Sequence, residues 1–455
     1  MQRVGALVLA AGKGTRMHSP KPKVLQTMIG EPLLWYVYRA LEGFVGDRIW
    51  TVVGFGADQV KSSFQARSSR FVFQEKQLGT GHALQVAWPR LIESGIEHVI
   101  ILNGDVPCVP KSIVADIVSE HIGKMSDLTI ATTRLEDPGP YGRVFRDISG
   151  RIKRIVEAKD VRVEDGSKTV NEVNVGIYML RLGSVGNVLG GLSNENMQKE
   201  YYITDLVGLA DQAGLSVNSV TSMDSEALAG VNTPIELAEV EETARKEIVS
   251  DWMGRGVVIH NPRQVWIGPR VMIESGCSIC GPCHIFGESR ITSGSIIDAY
   301  CHIQDAVLRA CQIRPFTHIE KSSVDVGSVI GPYSRLRPGT DIGTDSRVGN
   351  FVEVKNTKLG RNSKAGHLAY LGDSVIGDDV NIGAGTITCN YDGRRKHQTR
   401  IDDGAFIGSN TALVAPVVVG SKALVGAGST ITKDVPDDSL AIARSQQKNI
   451  RRKQS

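Results

Sequence analysis

A glycine-rich segment near the start of the chain combines small residues with two cations. It reads LAAGKGTRM over residues 9–17, and Pro22-Lys23 follows shortly after it. Small residues let backbone N–H groups approach a base or a phosphate, while Arg16 and Lys23 neutralise the charge of a triphosphate. The spacing is neither that of a Walker loop nor a complete G-x-G-x-x-G fingerprint. The segment therefore predicts a nucleotide-binding turn of another kind.

A second polar group follows a strongly apolar run. Asn103-Gly104-Asp105 comes directly after the strand candidate Val99–Leu102. Ligands of open α/β sheets gather at the carboxyl ends of the strands, so Asp105 is well placed to hold Mg²⁺. Asn232 offers a second oxygen ligand from a turn further along the chain. The structural alternative for both residues is the capping of a turn.

The second half of the chain carries residue types suited to acyl transfer. Arg337 and Lys355 offer cations for a sugar phosphate. His367 lies in the segment KAGHLAY, residues 364–370. Histidine is the natural base at neutral pH for taking a proton from an ammonium group, so that the free amine attacks a thioester. The sequence therefore predicts His367 as a general base.

The first half of the chain alternates apolar strands with helical stretches. Strand candidates are Val4–Leu9, Ile49–Val53, Val99–Leu102 and Leu128–Thr132, and Gly81–Leu91 is a helix candidate. This alternation is typical of a parallel, Rossmann-like α/β sheet. A charged stretch over residues 235–253 has apolar residues at helical spacing and predicts a linker helix. The predicted division is 1–234, linker 235–255 and 256–455.

The second half is built on a period of six residues. The apolar positions are Ile267, Ile273, Ile279, Ile285, Ile291, Ile297 and Ile303, and later Ile401, Ile407, Leu413, Val419, Val425 and Ile431. Shifted fragments with the same period lie between the two runs. A short strand and a turn of six residues, three to a coil, predict a parallel β-helix. The period breaks near 390–399, which predicts a loop expelled from the coil, where function usually lies.

Composition excludes several classes of protein. The 455 residues carry a net charge of +3, which gives no case for a nucleic acid or a membrane surface as partner. We expect a cytoplasmic protein of two or three domains. Cys277, Cys280 and Cys283 form a C-x-x-C-x-x-C run. We interpret them as coil positions of the repeat, because a closed zinc site needs four ligands. His284, His302 and His318, each preceding a repeat isoleucine, are predicted to face outward.

The first half resembles the sugar-1-phosphate nucleotidyltransferases through the 9–17 segment and Pro22-Lys23. Together with Gln74, Gly79-Thr80, residues 141–143, Glu157 and residues 174–176, the whole chain resembles the family of bifunctional N-acetylglucosamine-1-phosphate uridyltransferase/glucosamine-1-phosphate acetyltransferases. The resemblance implies uridine contacts from Leu9, Ala10, Ala11, Gly12, Gln74, Gly79 and Thr80. It implies sugar contacts from Gly142, Glu157, Asn174 and Asn232, completed by Lys23, Asn103, Gly104 and Asp105. Asn103 stands where the family often has an aromatic residue.

For the second half the resemblance implies a left-handed β-helix of hexapeptide repeats that forms a homotrimer. The sugar phosphate is expected on Arg337, Lys355, Tyr370 and Asn381. Acetyl-CoA is expected along Ala384, Asn390, Tyr391, Ser409, Ala427 and Arg444. Glu353 is expected to orient His367, and Lys396 is a candidate for the coenzyme's phosphates. UTP, N-acetylglucosamine-1-phosphate and glucosamine-1-phosphate are the other implied substrates, in a pathway that feeds peptidoglycan and lipopolysaccharide precursors.

Two alternatives stay open at this point. A single-function sugar nucleotide pyrophosphorylase whose repeats only bind regulators or other subunits would not need a base on the coil. A non-enzymatic assembly module would not need Arg16, Lys23 or Asp105.

Overall fold

The computed structural model describes residues 3–161, 170–222, 228 and 230–451. Contacts divide the chain into two compact units, Met1–Glu242 and Thr243–Ser455. No helix in the described part of the chain has the length and apolar character needed to cross a membrane.

The first unit is an α/β domain. Its strands are β1 Val4–Ala10, β2 Thr27–Met28, β3 Glu31–Pro32, β4 Ile49–Val53, β5 Phe71–Phe73, β6 His98–Asn103, β7 Leu128–Arg134, β8 Arg143–Arg146, β9 Ile152–Val156, β10 Glu172–Arg181 and β11 Val217–Ser222. Its helices are α1 Leu33–Val45, α2 Ala57–Ser63, α3 Thr80–Glu93, α4 Lys111–Gly123, α5 Leu182–Leu189 and α6 Asp205–Gln212. A seventh helix, α7 Pro234–Gly254, matches the predicted linker helix.

The main sheet has the order β11-β7-β10-β6-β1-β4-β5. The four predicted strands and the predicted helix are all present, with ends that coincide with the prediction or lie one or two residues further out. Apolar side chains from both faces of the sheet enter two separate core clusters, so β1 and β4 are buried along nearly their whole length. Continuous apolar strands of this kind are expected where helices cover both faces.

One strand corrects the expectation of a purely parallel sheet. β10 runs antiparallel to both β6 and β7. A parallel neighbour needs a crossover helix. Between β7 and β10 the described residues hold the β8–β9 hairpin and one short 3₁₀ turn instead. The chain therefore re-enters the sheet in the opposite direction.

The second unit is a coil of three parallel sheets. The first sheet contains β12 Val258–His260, β15 Ser278–Cys280, β18 Ile296–Ile297, β21 Gln312–Ile313, β24 Val329–Ile330, β27 Arg347–Asn350, β30 Lys364–His367, β33 Asn381–Ile382, β36 Phe406–Ile407, β39 Leu424–Val425 and β41 Leu440–Ala441. The second contains β13 Val265–Ile267, β16 Cys283–Phe286, β19 Cys301–Gln304, β22 His318–Glu320, β25 Arg335–Leu336, β28 Glu353–Lys355, β31 Tyr370–Gly372, β34 Ile387–Cys389, β37 Ala412–Val414 and β40 Thr430–Ile431. The third contains β14 Met272–Ile273, β17 Arg290–Ile291, β20 Val307–Leu308, β23 Ser322–Val324, β26 Thr340–Ile342, β29 Lys358–Leu359, β32 Ser374–Ile376, β35 Thr399–Ile401 and β38 Val417–Val419. This is the expected left-handed β-helix with hexapeptide repeats.

The repeat residues form the core of the coil. Every isoleucine, leucine and valine of the two runs named above is buried. Cys277 and Cys283 are buried in the same core, in agreement with their interpretation as coil positions. A small residue after the apolar one allows the coils to stack closely. A Cβ added to Gly408, for example, would lie 2.5 Å from the backbone nitrogen of Ala427 on the next coil.

The turns between sheets also stack into columns. We call the turn between the first and second sheets the first corner, and the turn between the second and third sheets the second corner. The first corner places Tyr300, Phe316, Tyr333 and Phe351 one above another with positive φ. Their rings are stacked, with centroids 4.7, 4.7 and 5.3 Å apart. Each remains between 45% and 59% exposed, so the column presents an apolar ridge to solvent.

Candidate functional sites

In the first unit, the sheet brings the two predicted polar groups to one edge. β1 and β6 are parallel neighbours in which Leu9 pairs with Asn103. The Gly104 N–H donates to the Leu9 carbonyl at 2.8 Å, and the Val231 N–H donates to the Asp105 carbonyl at 2.9 Å. The second of these bonds places Asn232 beside Asp105. The edge predicted from the strand ends is therefore the one that forms.

Four predicted residues meet there in one cluster. The Lys23 ammonium forms an ion pair with the Asp105 carboxylate and donates to Asn232 Oδ1 at 3.0 Å. Arg16 donates to the same amide oxygen at 2.9 Å. One carboxylate oxygen and one amide oxygen are hard donors of the type that Mg²⁺ prefers, so the donor set fits this ion. Glu236 was not predicted, yet it accepts the Asn232 N–H at 2.6 Å and fixes that turn.

A cavity of about 480 Å³ opens beside the cluster. The predicted residues that line it are Arg16, Thr80, Asn103, Asp105, Gly142, Glu157, Asn174 and Asn232. The predicted residues outside its lining are Leu9, Ala10, Ala11, Gly12, Lys23, Gln74, Gly79 and Gly104. The first set contains the four residues assigned to the sugar, and the second contains most of those assigned to uridine. The lining therefore includes all four predicted sugar contacts and, of the predicted uridine contacts, Thr80.

The uridine side is a tightly held turn. Gln74 is buried, and its amide donates to the Gly79 carbonyl at 3.2 Å. Gly79 has φ +108°, and a Cβ there would come within 2.5 Å of the Tyr201 carbonyl oxygen. Only glycine fits at this position. The turn directly precedes α3, whose first residue, Thr80, accepts the Ile203 N–H at 3.1 Å.

On the sugar side, carboxyl and amide groups are partly withdrawn from water. Burial raises the pKa of Glu157, although a hydrogen bond from the Thr204 hydroxyl at 2.9 Å opposes the shift. The Asn174 amide donates to the Tyr178 hydroxyl at 2.7 Å. Burial, followed by the charges of Glu236 and Asp105, raises the pKa of the nearby Tyr141. Polar groups held in this way can receive hydroxyl groups of a sugar without first reorganising.

In the second unit, His367 stands in a column of small residues at the first corner. His367, Ala384, Ser409 and Ala427 each precede a residue of positive φ and lie one coil apart. Backbone bonds tie the column together: the Asn410 N–H donates to the Ala384 carbonyl at 2.7 Å, and the Gly428 N–H to that of Ser409 at 2.8 Å. Arg444 closes the far end, donating to the Ala427 carbonyl at 2.6 Å.

The residues predicted to bind the sugar phosphate lie mainly on the second sheet. Arg337 and Lys355 are neighbours at the ends of adjacent strands of this sheet. The Tyr370 hydroxyl lies against Gly372, in the space that a Cβ there would occupy. The Glu353 carboxylate accepts a hydrogen bond from Arg337 at 2.7 Å. The expectation that Glu353 orients His367 stays a prediction.

The loop expelled from the coil carries Lys396, which the sequence predicted to bind only the phosphates of the coenzyme. Lys396 lies against Lys355, and this contact, with its repulsion, lowers the pKa of Lys355. The Asn390 amide donates to Asp373 Oδ2 at 2.5 Å, and only 8% of Asn390 is exposed. Tyr391 is exposed on the loop. The strand order gave no signal for the Lys355–Lys396 contact, because it depends on how the loop folds back.

One chain therefore does not gather all the predicted residues in one place. Asn390 and Tyr391 lie at the second corner, whereas Ala384, Ser409 and Ala427 lie at the first. Asn381 is on the first sheet, beyond the corner that carries His367. The second sheet separates the two groups.

Comparison with known proteins agrees with the division of the chain into an α/β unit and a β-helix. The MobA-like NTP transferase domain family matches residues 6–162, and the family of hexapeptide repeats of succinyl-transferase matches residues 398–433. "Bifunctional protein GlmU" of Nitratidesulfovibrio vulgaris (strain Miyazaki F) is 51% identical over 452 residues, 99% of each chain. Proteins of the same name from Oleidesulfovibrio alaskensis and Lawsonia intracellularis are 49% and 45% identical, covering 98% of this chain and 97% of their own.

The fold and the sites thus define a nucleotidyltransferase domain joined to a hexapeptide-repeat acyltransferase domain, a bifunctional transferase. Relatives that are about half identical over nearly the whole chain identify the family as well as the class. The chain belongs to the GlmU family.

Proposed function

We propose that the chain catalyses two consecutive steps of UDP-N-acetylglucosamine synthesis. The coil transfers the acetyl group of acetyl-CoA to the amine of glucosamine-1-phosphate. The α/β unit then transfers UMP from UTP to the N-acetylglucosamine-1-phosphate, releasing pyrophosphate. The observation that carries the proposal is the presence of two sets of reactive groups in two separate units: the Lys23–Asp105–Asn232–Arg16 cluster and the His367 column. The functional division proposed is 1–234, 235–255 and 256–455.

In uridyl transfer, a phosphate oxygen of the sugar attacks the α-phosphorus of UTP in line with the departing pyrophosphate. Most of the work is positioning and charge stabilisation. Mg²⁺ held by Asp105 and Asn232 would neutralise charge on the phosphates. Lys23 and Arg16, which already converge on those two residues, bring the protein's own positive charge to the same place. Glu157 and Asn174 hold the sugar, and the Gln74–Gly79 turn holds the base.

In acetyl transfer, His367 removes a proton from the sugar ammonium, and the free amine attacks the thioester carbonyl. The C–S bond then breaks, and coenzyme A leaves as a thiol with a proton. Removal of a positioned base usually costs about 10²–10⁴-fold in rate. Ala384, Ser409 and Ala427, one coil apart at the first corner, are proposed to border an extended coenzyme arm that ends at His367.

The acetyl transfer site is completed by a second copy in a homotrimer. Residues assigned to one ligand lie on opposite sides of the second sheet within one chain, so a neighbouring coil can bring them together. The exposed aromatic column supports an association at the first corner, because apolar ridges of this kind mark protein interfaces. The product sugar nucleotide feeds peptidoglycan and lipopolysaccharide precursors, and the proposed compartment is the cytoplasm.

The alternative is a single-function pyrophosphorylase whose coil only assembles subunits. The purified protein should therefore receive glucosamine-1-phosphate, acetyl-CoA, UTP and Mg²⁺, while free thiol and pyrophosphate are followed separately. Two functions predict that thiol appears without UTP, and that pyrophosphate from glucosamine-1-phosphate appears only when acetyl-CoA is present. Pyrophosphate release from N-acetylglucosamine-1-phosphate with no thiol under any condition would favour the alternative.

A further inference from the structure

The loop expelled from the coil is organised by one carboxylate. It joins β34 to β35 and carries Asn390 and Tyr391. Asp392 Oδ1 accepts the N–H groups of Arg394 and Arg395, both at 2.7 Å, and its Oδ2 lies 2.8 Å from His397 Nε2. A single side chain thus ties three later positions of the loop to one point.

The ends of the loop are anchored independently of Asp392. The Asn390 amide donates to Asp373 Oδ2, the His397 N–H donates to the Asn390 carbonyl at 2.8 Å, and the Thr399 N–H donates to the Asp373 carbonyl at 3.2 Å. These bonds fix where the loop leaves the coil and where it returns. Between those points the Tyr391 and Lys396 backbones form an antiparallel bridge, and the Asp392 N–H donates to the Arg395 carbonyl at 3.2 Å, so the Asp392 carboxylate adds its bonds to a short backbone turn.

The interior of the loop is expected to open if the Asp392 carboxylate is removed. Arg394, Arg395 and Lys396 are consecutive cations, all exposed, and Lys396 is held against Lys355. The two like charges repel each other, and each backbone residue that is released gains conformational entropy. Hydrogen bonds from Arg395, His397 and Arg394 hold the pKa of Asp392 at about 2, so the compensating negative charge is present at neutral pH.

We propose that Asp392 is a positioning residue for acetyl transfer, which holds the 390–397 loop in the one conformation that presents Tyr391 to acetyl-CoA and Lys396 to the sugar phosphate. The proposal rests on the proposed acetyl transfer. The Asp392 carboxylate is engaged within the loop, so it acts through these residues and touches no reacting atom.

Loss of loop order has a kinetic signature that differs from loss of a catalytic group. If the competent conformation falls to about one tenth of the population, apparent affinity falls about tenfold, while saturating ligand restores the ordered loop. Asp392→Ala is therefore expected to raise the KM for acetyl-CoA about tenfold and to change kcat by less than about twofold. Asp392→Asn, which keeps one acceptor oxygen, is expected to fall between wild type and Asp392→Ala.

The test uses the full-length chain and two measurements. The first is the KM and kcat of thiol release. The second is the rate at which trypsin cleaves the folded protein after Arg394, Arg395 or Lys396, followed by mass spectrometry with and without acetyl-CoA. Asp392→Ala should accelerate cleavage at these positions, and acetyl-CoA should suppress it.

A matched control lies in the other unit. Asp147 accepts the N–H groups of Ser149 and Arg151 at 2.9 and 3.1 Å in an exposed turn, and its hydrogen bonds likewise lower its pKa to about 2. Asp147→Ala should leave thiol release and cleavage at 394–396 as in wild type. Unchanged KM and unchanged cleavage in Asp392→Ala would overturn the proposal, as would a loss of kcat at unchanged KM. A wild-type protein without thiol release would instead sink the proposed acetyl transfer.

Discussion

At the residue scale, the two sites manage charge differently. The cluster in the α/β unit balances Lys23 against Asp105 in a partly buried setting, at 14% and 19% side-chain exposure. On the coil, Lys355 and the exposed Lys396 lie side by side, and the charge of Asp373 acts on both. The first arrangement suits a metal–phosphate complex, and the second suits a bare phosphate.

Asp105→Asn tests the first arrangement. The amide keeps the shape of the side chain but removes the charge that pairs with Lys23 and would hold Mg²⁺. We expect uridyl transfer, measured as pyrophosphate release, to fall by about 10²-fold, as when one electrostatic stabiliser is removed. Asp116→Asn, an exposed change on α4, is the control and should keep wild-type release. Near-normal activity in Asp105→Asn would show that this carboxylate does not serve the reaction.

Residue types were more predictable than their partners. Asp105 was predicted at the ligand-binding edge because it follows the end of a strand, whereas Asn232 was joined to it only through the family resemblance. The Arg337–Glu353 ion pair was not foreseen. The sequence suggested instead a contact between Glu353 and His367, which are close in sequence but belong to different sheets of the coil. Contacts across a corner depend on the exact number of residues per coil.

At the element scale, that number varies along the coil. Ile285 pairs with Ile303, 18 residues on, whereas Ile303 pairs with Ile319, only 16 residues on. The shorter turns explain why the period of six residues shifts between the two apolar runs. The sequence showed these shifts but not their cause. The fold was predictable because the core positions repeat. The number of residues in each coil was not predictable, because the exposed corners tolerate deletions.

The end of the linker helix offers a stability prediction. Arg245 on α7 is buried, donates to the Pro262 carbonyl at 2.7 Å, and lies 5.7 Å above the Trp266 ring. Arg245→Ala removes this donor from a partly buried carbonyl and empties the space of a buried side chain, so we expect a loss of about 2–4 kcal/mol in the free energy of unfolding.

Denaturant unfolding followed by circular dichroism measures this change. Arg255→Ala, at the exposed end of the same helix region, should change the free energy by no more than about 0.5 kcal/mol. Equal effects of the two substitutions would contradict the role given to Arg245.

A pair of buried histidines predicts how stability depends on pH. His98 Nδ1 lies 3.0 Å from His121 Nε2, and His121 Nδ1 lies 2.9 Å from Thr129 Oγ1. Burial, followed by the charges of His98 and Arg181, lowers the pKa of His121 to about 3. The unfolded chain takes up this proton near pH ~6.5 while the folded chain resists it. Stability contributed by the neutral pair is therefore lost as the pH falls from about 6.5 towards 3.

His121→Gln removes the titrating ring and one of its bonds. The variant should be less stable than wild type at pH 7.5, but its urea midpoint should decline less between pH 7.5 and pH 5. Parallel declines for the two proteins would mean that this pair does not govern the acid sensitivity of the α/β unit.

At the scale of the whole molecule, the aromatic column should control assembly. Phe316→Glu places a charge in the exposed stack, two coils below the rung of Phe351. We expect sedimentation velocity to show weaker self-association and thiol release to fall with it, while pyrophosphate release is retained. Met272→Glu, an equally exposed apolar position on the third sheet, is the control. Full acetyl transfer by a monomeric Phe316→Glu protein would rule out a shared site.

The central claim, that the protein has two activities served by separate residues, is tested most directly by a crossed pair of variants. His367→Ala and Asp105→Asn are each assayed for thiol release from acetyl-CoA with glucosamine-1-phosphate, and for pyrophosphate release from UTP with N-acetylglucosamine-1-phosphate. The account predicts that His367→Ala loses only thiol release and that Asp105→Asn loses only pyrophosphate release. Loss of both activities in either variant, with the fold intact by circular dichroism, would contradict it.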